Sequence, residues 1–249
     1  MTLLNTLKTI TFLSIILYAA PFLIENIKKQ YVPLLEPQTK IGILTIKESI
    51  NEANLFINQL HSFFKNSLIK GIIIKIDATA SAPGSSQTIF HDIRQLKKEY
   101  PKPIIALIEN KCLAGSYLIA SACDYIIAPE SAITGNIGPS FIDWSTQEIS
   151  QDLNNSFDNI KHETYQQLIK QIAMSRKLSL TTTHSWANGK IFTATQAITL
   201  GLINEIGSLC TAIKTIKEKA LIEGEIEWIE PCKNTATLNV FFSNDRTIP

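Results

Sequence analysis

The sequence predicts an α/β fold with a parallel sheet, on three observations. Short β-branched, apolar runs recur at 40–46, 70–77 and 103–109. Each is followed by apolar residues at helical spacing, and strand–helix–strand repetition closes most simply through parallel crossovers. The third run leads directly into small residues, Lys111-Cys-Leu-Ala-Gly-Ser-Tyr-Leu-Ile-Ala-Ser-Ala-Cys-Asp124, the pattern of a sharp turn from strand into helix.

The chain opens on a different kind of segment. Thr9 to Ile24 carries no charge, with Lys8 before it and Glu25, Lys28 and Lys29 after it. A single-pass membrane anchor, a cleaved signal peptide and a buried helix all remain open. The anchor fits best. Leu3, Leu4, Leu7 and Ile27 extend the run if Lys8 snorkels, and Tyr18-Ala-Ala-Pro21 is a poor cleavage site because proline follows the small residues. We assign residues 1–29 to this anchor, 30–39 to a linker, 40–230 to the folded domain and 231–249 to a C-terminal tail.

Within the domain, Lys40 to Ile46 is the first strand. Ala53, Leu55, Phe56, Leu60, Phe63 and Phe64 mark a helix between 51 and 65. Lys70-Gly-Ile-Ile-Ile-Lys-Ile-Asp77 is apolar enough to lie centrally in a parallel sheet. A small-residue loop at 78–86 precedes a helix over 87–100. The strand at 103–109, the elbow and its helix, and a short strand at 125–128 follow. From Phe141 the pattern turns polar and helical. Tyr165, Leu168, Ile169, Ile172 and Ala173 form one apolar stripe, a core face or an interface with another subunit. Residues 188–207 read as a turn, a short extended piece, a helix and a glycine stop. A last helix at 209–220 and a last strand at 226–229 precede the tail.

Composition narrows the function. The formal charge is +1 with scattered basic residues, which argues against a nucleic-acid surface. Cys112, Cys123, Cys210 and Cys232 have no metal-binding or disulfide spacing, and Cys112 and Cys123 read as small core residues. His61, His91, His162 and His184 show no spacing that favours a catalytic triad. Lys190, Glu163 and Glu205 lack a catalytic context.

Four pieces in order resemble the signal peptide peptidase A family, the S49 serine peptidases of the ClpP/crotonase superfamily. They are Lys70 to Asp77, the Pro83-Gly84 loop, the elbow through Asp124 with Ile133-Thr-Gly-Asn-Ile-Gly138, and Asn188-Gly-Lys-Ile-Phe-Thr193 with Gly201-Leu-Ile-Asn-Glu-Ile-Gly207. The resemblance implies a ClpP/crotonase-like stacked sheet with helices behind an N-terminal transmembrane helix. It also implies a peptide or signal-peptide substrate, a homo-oligomer, no cofactor or metal, and a domain outside the cytoplasm at the cell membrane.

The family's elbow presents a serine nucleophile. Counting back from Asp124, and aligning Tyr117, Ile119 and Ala120, puts that place on Ala114. The segment that holds the family's lysine base is shortened here, and its place falls on Gln166, between Lys161 and Lys170. Oxyanion or peptide contacts are expected from Gly84, Ser85 and Gly115. The expectation is therefore a degenerate S49 homologue with a peptide-binding or oligomer-structural role. The alternative is an active, divergent serine endopeptidase using Ser116 with Lys161 or Lys170. Two residues along a helix turn a side chain by about 200°, away from the old nucleophile's direction. Enolate or acyl-thioester chemistry at the elbow is a third possibility, without an adenine-binding feature to support it.

Overall fold

The computed structural model describes residues 39–48, 53–79, 82–138, 151–224 and 226–231, together with residues 8, 10, 11, 13, 14 and 16–26. Strands β1 (Lys40–Glu48), β2 (Ile69–Ala78) and β3 (Ile104–Leu113) lie side by side in parallel. Helix α1 (Asn54–Lys65) connects β1 to β2, and α2 (Pro83–Glu99) connects β2 to β3. The elbow helix α3 (Gly115–Ser121) precedes β4 (Tyr125–Ala128) and β5 (Ile133–Gly135). The long helix α4 (Gln151–Arg176) and the single turn α5 (Thr183–Trp186) come next. Then follow β6 (Ile191–Thr193), α6 (Ala194–Thr199), β7 (Glu205–Ile206), α7 (Leu209–Ala220) and β8 (Glu227–Ile229).

Among the described residues the sheet runs β6-β5-β3-β2-β1-β8, with β4 also paired to β3 and β7 to β4. The β5–β6 pair is antiparallel and the other pairs are parallel. This parallel-rich mixed α/β architecture fits the predicted class.

Alternation along the long strands sends successive side chains to opposite faces. Leu44, Ile46, Ile72, Ile74, Ala106 and Ile108 share a core with Phe64 of α1, Phe90 and Ile93 of α2, Ile119 of α3 and Ile172 of α4. On the other face Ile41, Ile73, Ile105 and Leu107 pack under Ala212 and Ile216 of α7. The approach there is close: a Cβ on Gly71 would come within 2.6 Å of Ile216 Cγ1, so glycine lets the helix settle onto the sheet. Both faces of the central strands are thus covered near their N-terminal ends, which explains their unbroken apolar runs.

Strand β3 bends where the site begins. Ile76 of β2 pairs with Ile108, yet Ala78, two residues on, pairs with Cys112, so β3 carries extra residues between them. Such a bulge redirects a strand. Below it Ile105–Leu107 pairs with β4, and above it Lys111–Leu113 pairs with β5.

Several expectations need correction. Helix α2 starts at Pro83 rather than near 87, because proline's missing N–H and fixed φ suit the first helical position. Gly84 and Ser85 are therefore in a helical turn, not a loop. Of the two readings left open for the apolar stripe on α4, the core face is the one found: Leu168, Ile169, Ile172 and Ala173 are buried within the chain itself.

The N-terminal segment is described in part. Its described residues are helical, and Ile10, Leu13, Leu17 and Phe22 are exposed. Among the described residues, no helix is long and apolar enough to cross a membrane. The rest of the expected anchor, the linker as far as Gln38, the polar stretch at 141–150 and the tail beyond Pro231 lie outside the described residues.

Candidate active-site elbow

The site is built where two adjacent parallel strands end. Ala78 and Cys112 are partners in register, and just beyond them the chain enters α2 at Pro83 and α3 at Gly115. The N-termini of two helices therefore lie at the same edge of the sheet. Peptide N–H groups of a first helical turn lack intrahelical acceptors, so this edge is suited to an oxyanion or a carbonyl.

Ala114 forms the apex between β3 and α3. Its backbone sits at φ 54° and ψ −121°, a conformation that L-residues rarely adopt. Neighbours hold it there. Ala114 N–H donates to Gly135 O at 2.9 Å, Thr134 Oγ1 donates to Cys112 O at 2.8 Å, and Tyr117 N–H donates back to Ala114 O at 3.0 Å. This is the tight strand-to-helix turn predicted from the small residues. The side chain at its apex is a buried methyl group.

The next residue, Gly115, is buried, and its N–H meets no acceptor among the described residues. A buried N–H without a partner is costly and uncommon, and functional sites are where such groups persist. Gly84, across the strand edge, is exposed, and a Cβ added to it would touch nothing within 4 Å. Ser85 is half-buried beside it.

Ser116 is fully buried inside α3. Lys161 and Lys170 both belong to α4, which packs on α3; Lys161 is half-buried and Lys170 is exposed. A lysine acting as a base must be desolvated, and Lys170 is exposed. Gln166, where the expected place of a lysine base falls, is half-buried on the same helix.

The remaining candidates resolve into structural parts. Asp124 Oδ2 accepts the N–H of Ile104 at 2.9 Å while Oδ1 pairs with Lys97 Nζ at 2.6 Å, tying the elbow helix's end to the start of β3. Tyr117 is buried and its hydroxyl donates to Leu202 O at 2.6 Å; burial pushes the phenol far above its ordinary pKa. Cys112 and Cys123 are buried thiols, and desolvation raises both, Cys123 to about 12, so neither is a ready nucleophile. Lys190 closes a turn through its backbone, accepting Asn136 N–H at 2.8 Å, with its side chain exposed. His61 lies 3.4 Å from Asp92, pairing α1 with α2, and His91 meets Gln171 at 3.2 Å, pairing α2 with α4. Among the described residues, no cluster of histidine, cysteine, aspartate or glutamate is suited to a metal.

One polar group at the strand edge escaped the sequence reading. Asn110 Nδ2 donates to Asp77 Oδ2 at 2.9 Å, while Asp77 Oδ1 is out of contact with solvent and, among the described residues, has no hydrogen-bond partner. The signal for it was faint: an aspartate closing one apolar strand and an asparagine within the next.

Comparison with known proteins agrees with this geometry. The model of peptidase family S49 matches residues 96–146 and 140–223, half of the chain, and includes the elbow. The chain belongs to peptidase family S49. It is 24% identical over 195 residues to a provisionally named protease of Methanocaldococcus jannaschii, covering 68% of this chain and 62% of that one. It is 23% identical over 207 residues to a provisionally named signal peptide peptidase SppA of Enterococcus faecium, covering 72% and 60%. Protease 4 of Haemophilus influenzae is 26% identical over 195 residues, covering 64% of this chain and 31% of its own length. The S49 chain described here thus spans about three fifths of the first two relatives and under a third of the last.

Proposed function

We propose that this S49 chain is a membrane-anchored peptidase homologue that has kept the elbow and lost the nucleophile, and that it binds peptides without cutting them. The observation that carries the reading is Ala114 at the apex of the turn, at φ 54°, with a buried methyl group. A methyl group cannot attack a carbonyl. The burial of Ser116 and the exposure of Lys170 support the same reading, since a dyad needs a reachable hydroxyl beside a desolvated amine.

Peptide binding is supported by what remains at the strand edge. Among the described residues, Gly115 N–H has no acceptor and Asp77 Oδ1 has no donor. An extended peptide supplies both complements. Gly84 and Ser85, in the first turn of α2, are candidates for further carbonyl contacts. Leader or signal peptides, which a membrane-tethered member would meet, are the substrate class the family suggests. The anchor at residues 1–29, placement of the domain outside the cytoplasm and assembly into a homo-oligomer belong to the same proposal.

The test uses purified full-length chain in detergent with fluorescein-labelled apolar leader peptides. Anisotropy should rise on binding, and mass spectrometry should find every peptide intact. Cleaved peptide would defeat the non-catalytic reading. Anisotropy that never rises would defeat the binding role.

A further inference from the structure

The end of the sheet opposite the elbow carries a groove that the peptidase reading does not use. Its volume is about 600 Å³, and it is lined by Lys65, Lys70, Lys102 and Lys219, with Tyr100 and Leu221 among the remaining wall residues. Among the described residues, no carboxylate lines it. The lysines converge because three elements end here: α1 at Lys65, α7 at Ala220, and the loop from α2 into β3 around Lys102. Cations do favour helix C-termini, and that accounts for part of the clustering. It does not account for Lys70, which opens β2.

Apolar side chains are exposed at the same end. Leu221 is 89% exposed at φ 53° just past α7, Leu68 is 37% exposed before β2, and Trp228 on β8 is 39% exposed. Trp228 is paired with Ile41 at the foot of β1, so it stands beside the point where the chain enters the domain from its N-terminal segment. Lysines interspersed with exposed leucine and tryptophan are the composition of a surface that lies in a headgroup layer. Among the described residues, the carboxylates of the neighbouring segments are Glu99, Glu218, Glu223, Glu227 and Glu230, of which Glu227 is engaged by Lys40 at 3.0 Å.

We infer that this end of the domain docks on an anionic phospholipid surface, with Lys65, Lys70 and Lys219 meeting headgroup phosphates and Leu221 and Trp228 entering the interface. The inference rests on the anchor reading and goes beyond it. A ten-residue linker reaches up to about 35 Å, which leaves a tethered domain free to tumble. The basic end fixes one orientation, with the elbow directed away from the bilayer. Lys102 is set apart from this role, since its Nζ donates to Phe63 O at 3.1 Å and Asn66 O at 2.5 Å and closes the end of α1.

The full chain, with Cys210 and Cys232 changed to serine and Leu221→Cys labelled with bimane, is reconstituted into nanodiscs carrying headgroup nitroxide. Discs of phosphatidylcholine alone are compared with discs containing phosphatidylglycerol. Quenching is expected in the anionic discs and should fall about threefold or more in the triple variant Lys65→Gln, Lys70→Gln, Lys219→Gln, or in high salt. A label on the native Cys210, at the far end of α7, should stay unquenched in the same discs. Equal quenching in neutral discs, or none in either, would overturn the docking face. Retention through an alkaline carbonate wash separately reports the anchor; a chain stripped by carbonate would overturn the anchor, and the quenching comparison alone decides the docking face.

Discussion

At Ala114 the backbone and the side chain tell different stories. The φ of 54° and ψ of −121° are kept in place by Gly135 O and Tyr117 N–H, although an alanine gains nothing chemically from that conformation. A non-glycine residue held there stores on the order of 1–3 kcal/mol. Ala114→Gly should therefore stabilise the domain by about 1 kcal/mol in urea denaturation, after glycine's greater freedom when unfolded is subtracted. A loss of stability would mean that the turn is not strained. The turn was legible because small residues follow an apolar strand, and the structure puts Ala114 at its apex. The sequence did not reveal Asp77, whose Oδ2 accepts from Asn110 while Oδ1 has no partner among the described residues.

Among the elements, α4 is the one whose partner the sequence could not name. An apolar stripe looks the same whether it covers a core or a neighbouring subunit. Here Ile172 is fully buried against the chain's own sheet and elbow helix. Ile172→Ala should cost about 2–4 kcal/mol of unfolding free energy at any protein concentration. A cost that appears only at high concentration would restore the interface. The start of α2 was misread because small polar residues suggest a loop, whereas Pro83 at the first helical position pre-sets the helix.

The C-terminal end of α1 is closed by Lys102, whose chemistry gives a pH signature. Burial, helped by the charge of Lys70, lowers Lys102 from its usual 10.5 to about 8 in the folded chain. Between these values the unfolded chain binds the additional proton, so this residue's contribution to stability rises with pH over that window. The difference in unfolding free energy between wild type and Lys102→Met should move in favour of wild type from pH 8 to pH 10. A flat or reversed difference in chemical denaturation would contradict that assignment.

On the scale of the whole molecule, the parallel sheet and its crossovers were legible because both faces of β1, β2 and β3 are covered and their apolar runs are unbroken. The split of β3 between β4 and β5 was not, since a bulge leaves little trace in hydrophobic periodicity. Nor was the basic groove, whose lysines come from separate stretches of sequence and meet only in the fold. The two ends of the sheet therefore differ. One edge carries the elbow with a methyl group at its apex, and the other carries lysines beside the start of β1.

Peptide hydrolysis by purified full-length chain, measured side by side with Ser116→Ala, tests the central claim most directly. The account predicts no turnover above buffer for either protein. Turnover by the wild type that Ser116→Ala abolishes would contradict it.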